Sequence, residues 1–194
     1  MVQLTDSPRL FVAVELPGQL RRVLDDLQHE LQRHIQGLRW VRPEGIHLTL
    51  KFLGEMPEAR VDDIKAAVAN AAAGVPRHEL SLGQLGTFGN RGAPRVLWLD
   101  LRGDLDTLNL LQSRVDASLA SAGFPRESRP FAAHLTLARV RPETARDVAE
   151  ALADAMRTVG PPSGSLPVRQ ISLMLSRLGP GGAVYERLGA WPLG

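Results

Sequence analysis

The sequence predicts an α+β fold of two pseudo-symmetric lobes, with antiparallel strands lining a central cleft and helices outside. Two observations carry that prediction. The tetrapeptide His47-Leu48-Thr49-Leu50 recurs letter for letter as His134-Leu135-Thr136-Leu137, at an offset of 134 − 47 = 87 residues in a chain of 194. The surrounding pattern repeats at the same offset, since Trp98 follows Phe11 by 98 − 11 = 87. Each copy of the motif sits in an apolar run of strand character, so a duplicated architecture with one reactive group per half is expected.

In chain order, residues 9–16 (RLFVAVEL) read as a buried strand stopped by Pro17-Gly18. From Gln19 to Gln36 the residues Leu20, Val23, Leu24, Leu27, Leu31 and Ile35 recur at three- and four-residue steps, which predicts an amphipathic helix ending near Gly37. Leu38 to Val41 is extended, and Ile46 to Leu53 is the first motif strand. Val61, Ile64, Ala67, Val68 and Ala71 outline a second helix, and His78 to Leu85 alternates as a strand before a glycine-rich loop, 86–94. The second half follows the same order. Strand 95–101 precedes a helix marked by Leu105, Leu108, Leu111, Val115 and Leu119. The second motif lies in 128–140, a helix runs from Pro142 to Met156, and strand 168–175 follows. Gly179 to Gly182 is a turn, and 184–188 a final hairpin strand. No low-complexity linker separates the halves, so residues 1–194 read as one two-lobed domain with pseudo-repeats at about 9–85 and 95–175. Trp40 and Trp98 are assigned to the core.

Bulk properties exclude several classes. The 44% hydrophobic and 23% charged content is that of a soluble globular chain. Without cysteine there are no disulfides, thiolate metal sites or cysteine nucleophiles. The short polar stretch 1–8 does not read as a secretory leader, and no apolar run approaches the ~20 residues of a membrane span. A cytoplasmic protein is expected, with no membrane partner, and a monomer. Net charge is only +2, yet of 23 basic residues all but Lys51 and Lys65 are arginine, the better fork for phosphate.

Alternation on a strand puts His47 and Thr49 on one face and Ile46, Leu48 and Leu50 on the other; His134 and Thr136 oppose Leu135 and Leu137 in the same way. If a pseudo-two-fold axis relates the lobes, the two His/Thr faces meet across one cleft. A pair of imidazoles suits acid–base chemistry near neutral pH, one neutral and one protonated. Two threonine hydroxyls beside them can donate to the non-bridging oxygens of a phosphate. A phosphodiester with an internal leaving group needs those parts, and no cofactor. A metal is not expected, because neither motif supplies a second histidine or a carboxylate at i+2 or i+4. By sequence the two histidines are equivalent, so which is acid stays open.

These motifs sit among further landmarks: Arg9-Leu10-Phe11, Phe52-Leu53-Gly54-Glu55, Pro94-Arg95-Val96-Leu97-Trp98 and Arg129-Pro130-Phe131-Ala132-Ala133-His134. Over about residues 9–190 the chain resembles the bacterial and archaeal RNA 2′,3′-cyclic phosphodiesterases. These belong to the two-histidine phosphoesterase superfamily and were first described as 2′–5′ RNA ligases. Ala133 departs from the family's usual proline. The resemblance implies metal-independent opening of an RNA 2′,3′-cyclic phosphate end to a 2′-phosphate, with reversible 2′–5′ ligation as an accompanying activity. It implies His47 as proton donor, His134 as proton acceptor, Thr49 and Thr136 as phosphate ligands, and Phe52 and Arg139 as nucleoside contacts. Strict alternation opposes the last two, since it puts Phe52 and Arg139 on the leucine side unless the strands bulge. Arg39, Arg42, Arg126, Arg129 and Arg141 are candidates for a positive funnel toward an RNA end. The alternatives are a nucleotide- or RNA-binding module without turnover, and a phosphodiesterase for a small cyclic phosphate or a 2′–5′ oligonucleotide.

Overall fold

The computed structural model describes residues 9–90, 92–179 and 182–194. The stretch 1–8, Arg91 of the glycine-rich segment and the middle of the 179–182 turn therefore lie outside the described residues. Among the described residues nine strands form one antiparallel sheet: β1 Arg9–Glu15, β2 Leu38–Trp40, β3 His47–Glu55, β4 His78–Asn90, β5 Ala93–Gly103, β6 His134–Val140, β7 Ser165–Val168, β8 Gln170–Gly179 and β9 Gly182–Pro192. Four α-helices accompany them: α1 Gly18–Gln32, α2 Val61–Ala72, α3 Leu105–Ser121 and α4 Ala145–Thr158. The order across the sheet is β7-β4-β5-β6-β3-β1-β8-β9, with β2 also on β6.

The two motif strands are central neighbours, joined at the single pair Leu48–Leu135. To one side lie β1, β8 and β9, and to the other β5, β4 and β7. The halves in space are not the halves in sequence. The last strand of the first repeat, β4, pairs with β5 of the second, and β8 of the second repeat pairs with β1 of the first. Each lobe is built with a strand from the other repeat.

The helices form because their apolar stripes have the sheet to cover. Leu20, Leu24, Leu27 and Leu31 of α1 are buried, as are Leu108, Leu111, Val115 and Leu119 of α3. Asp104 caps α3, accepting hydrogen bonds from the Thr107 backbone N–H at 3.0 Å and from its hydroxyl at 2.8 Å. Such a cap stabilises a helix by about 1 kcal/mol. The expected helix from Pro142 begins as a 3-10 turn, Pro142–Thr144, before α4.

Two expectations are corrected. The glycine-rich segment 86–94 is not a long loop: strand β4 runs to Asn90 and β5 starts at Ala93. Gly86 lies under the Trp98 indole, where a Cβ would come within 2.4 Å of the ring, so the glycine permits close strand approach rather than a turn. Residues 128–133 are not strand, and β6 starts at His134 itself. No helix among the described residues is long and apolar enough to cross a membrane.

Candidate active site

The Leu48–Leu135 bridge sets the geometry of the site. One step from that pair along the antiparallel strands, His47 comes opposite Thr136, and Thr49 opposite His134. The four side chains share one face, and all four residues are partly buried while Leu48 and Leu135 beneath them are fully buried. The pseudo-two-fold relation expected from the repeat is thus a feature of the backbone register.

The same face extends beyond the motif because both strands bulge at equivalent places. Against β1, Ala13 pairs with Thr49 but Val12 with Lys51, so Leu50 is an extra residue. Against β5, Trp98 pairs with Thr136 but Leu97 with Ala138, so Leu137 is the extra one. Leu50 and Lys51 are both buried, as are Leu137 and Ala138. After each bulge the parity reverses. Phe52, opposite Phe11, and Arg139, opposite Val96, therefore return to the cleft face, at its two ends. Phe52 is 65% exposed, and its ring centroid lies 6.0 Å from that of Phe11.

A buried glutamine from the opposite repeat's helix holds each bulge. Gln28 of α1 donates to the carbonyls of Leu137 (2.9 Å) and Val41 (2.8 Å), and Gln112 of α3 donates to that of Leu50 (3.4 Å). The bulge also turns Lys51 inward, where its ammonium pairs with Asp116 and donates to the Pro125 carbonyl at 2.8 Å. Burial raises the Asp116 carboxyl, but Lys51, the Glu127 backbone N–H and Arg126 more than offset it, leaving a net lowering. That network anchors the segment leading into His134.

The two histidines differ in their surroundings. His134 Nδ1 lies 2.7 Å from the Ala132 carbonyl oxygen. A carbonyl only accepts, so Nδ1 carries a proton, and it is Nε2 whose lone pair the neutral ring presents, the tautomer a base requires. Phe88 (4.8 Å, edge-on) and Trp98 (6.2 Å) flank the ring. Trp98, expected in the core, is thus a wall of the site. His47 instead stacks on Phe11 at 4.6 Å and meets Tyr185 edge-on at 5.1 Å. Burial lowers its pKa to about 4, against a smaller upward pull from Glu15. Glu15 is the cross-strand partner of His47, as Asp100 is of His134. The Glu15 carboxylate accepts from the Ser172 hydroxyl at 2.6 Å and Arg187 at 3.2 Å. Burial raises the Tyr185 phenol, and Arg139 pulls it the other way.

Tyr185, Glu15 and Asp100 are members of the site that the motifs do not point to. Glu15 and Asp100 lie on neighbouring strands whose register the motif does not reveal, and Tyr185 comes from the last hairpin. Of the candidate funnel, Arg126 lies 3.9 Å from Asp116, while Arg39 and Arg141 join Arg139 and Arg95 in one groove. Among the described residues no three of His, Asp and Glu stand together as a metal would require.

Residues 14–98 and 100–185 each match the model of the LigT-like phosphoesterases, two tandem copies that hold one His-x-Thr motif each. The chain belongs to the LigT-like phosphoesterase family. Among family relatives, the RNA 2′,3′-cyclic phosphodiesterase of Methanothermobacter thermautotrophicus is 33% identical, across 91% of this chain and 94% of its own length. The protein of the same name from Archaeoglobus fulgidus is 33% identical over 93% and 97%. Among solved structures, a protein of Thermus thermophilus has a TM-score of 0.75 at 29% identity, with 95% and 97% of the chains covered. E. coli LigT in complex with 3′-AMP gives 0.74 at 27% identity, over 97% and 99%.

Proposed function

We propose that this protein opens RNA 2′,3′-cyclic phosphate ends to 2′-phosphomonoesters with a two-histidine acid–base pair. The observation that carries this reading is the Leu48–Leu135 bridge, which sets two His/Thr pairs on one face across the centre of the sheet. His134 Nε2 accepts a proton from water as the water oxygen attacks phosphorus. The P–O3′ bond breaks, and His47 protonates the departing O3′. Thr49 and Thr136 hydroxyls donate to the non-bridging oxygens as charge builds there. With a 5′-hydroxyl as nucleophile instead of water, the same steps form a 2′–5′ linkage.

The assignment of acid and base follows two asymmetries. His134 has the tautomer of a base, fixed by Ala132. His47 is neutral in the free protein and acquires its proton with the substrate, because a phosphodiester anion beside it favours the imidazolium, as Glu15 already does. Phe52 and Arg139, brought to the cleft face by the bulges, are proposed to contact the terminal nucleoside. All the parts come from one chain, so a monomer suffices. The acting unit is the whole two-lobed chain as one domain, since each lobe contains a strand of the other repeat. A cysteine-free chain acting on RNA fits a cytoplasmic setting.

The test is turnover of a nucleoside 2′,3′-cyclic phosphate by His47→Ala and His134→Ala variants. Each should lose at least about a hundredfold in kcat, the lower range for a positioned acid or base. Thr49→Ala and Thr136→Ala should lose less. Wild-type rates in either histidine variant would refute the proposal, provided circular dichroism shows both to be folded.

A further inference from the structure

Beyond the motif, β6 runs into a groove of about 730 Å³ whose wall holds four arginines, Arg39, Arg95, Arg139 and Arg141, with Glu143 the acidic member. All four arginines are exposed. Arg39 on β2 is the direct cross-strand partner of Arg139 on β6, and Val96 is the other neighbour of Arg139. Facing residues in an antiparallel pair share a face, so the Leu137 bulge puts Arg39 and Arg139 on the side that carries Thr136. Like charges placed opposite each other destabilise a strand pair. Among the described residues none of these four arginines has a carboxylate within ion-pair distance, although ion pairs occur elsewhere on the surface. A sheet that accepts this repulsion has the electrostatic form of an anion site.

The position of the groove identifies the anion. Thr136 faces Trp98 and Arg139 faces Val96, two residues apart on β5, so at ~3.3 Å per residue Arg139 is about 7 Å along the sheet from Thr136. It lies at the end of the cleft where His47 faces Thr136, and Phe52 is at the other end. A single phosphate held by Thr49 and Thr136 does not extend over that distance, whereas the next linkage of a polynucleotide does. We propose that this groove is a second phosphate subsite, in which Arg39, Arg95 and Arg141 bind the internal phosphodiesters on the 5′ side of the cyclised nucleotide. The guanidinium fork matches a phosphodiester's two free oxygens. The inference rests on the cyclic phosphodiesterase reading and deepens it: the groove holds the strand upstream of the cyclised end, and a mononucleotide leaves it empty.

The experiment compares kcat/KM for a five-nucleotide RNA ending in a 2′,3′-cyclic phosphate with that for the corresponding nucleoside cyclic phosphate. The wild type should favour the oligomer by about tenfold or more at low salt. In the Arg39→Ala/Arg141→Ala double variant that ratio should fall by about fivefold or more. The salt dependence of oligomer turnover should weaken by about 0.7 in log–log slope for each arginine removed. An unchanged ratio and slope in the double variant would overturn the subsite. Arg139 is left intact because it also lines the cleft. If the wild type turns over neither substrate, the cyclic phosphodiesterase reading fails, and anisotropy of a fluorescent oligomer with a 3′-phosphate decides the groove separately. Weaker binding by the double variant supports it, and equal binding overturns it.

Discussion

Acidification should unfold this protein partly through His47. Its pKa of about 4, against an ordinary 6.5, means that the folded state holds the neutral ring between Phe11 and Tyr185 while the unfolded chain takes up a proton. Between those values the unfolded state binds more protons, so stability is full above about pH 6.5 and declines as pH falls toward 4. The whole separation corresponds to about 3 kcal/mol. Between pH 7 and pH 5 the loss is about 2 kcal/mol from this residue alone. Urea unfolding of wild type and His47→Gln at both pH values isolates it, since other groups titrate in both proteins. The wild type should lose about 2 kcal/mol more than the variant. Equal losses would refute the claim that burial keeps His47 neutral. The same ring, followed by NMR, should titrate at higher pH with inorganic phosphate in the cleft.

Two further substitutions test the scaffold. Gly45→Ala brings a Cβ within 2.9 Å of the Tyr185 ring. Tyr185 should shift off His47, and NMR should show the His47 pKa moving up toward 6.5 as its burial is relieved. Gln28→Leu keeps the volume but removes the donor to Val41 and Leu137, leaving the Val41 carbonyl unpaired. Chemical denaturation should show a loss of about 1–3 kcal/mol.

The duplicated motif, the element order and the apolar faces of the helices are legible in the sequence because they depend on local periodicity. The His/Thr face follows from alternation over three residues and needs nothing further. Phe52 and Arg139 show where that logic stops. Counting by twos puts them on the leucine side, but the Leu50 and Leu137 bulges reverse the count, and only the neighbouring strands and the glutamines of α1 and α3 establish those bulges. A trace is present: a lysine at position 51 amid apolar residues is intelligible only with Asp116 as its partner, 116 − 51 = 65 residues away. Trp98 reads as core because it lies in the apolar strand run 95–101, yet the groups around its indole include Gly86, Phe88 and His134. The exchange of β4 and β8 between lobes has no local signature, since it is fixed by long-range pairing.

If two imidazoles expel O3′ from a cyclic phosphate without a metal, the product itself carries the proof. It is read by ³¹P NMR of the compound that EDTA-treated protein forms from a nucleoside 2′,3′-cyclic phosphate. The expected product is the 2′-monophosphate, formed at the rate seen without chelator. A 3′-monophosphate would show that the wrong oxygen has been assigned to His47, and activity lost to EDTA and restored by zinc would contradict the acid–base mechanism itself.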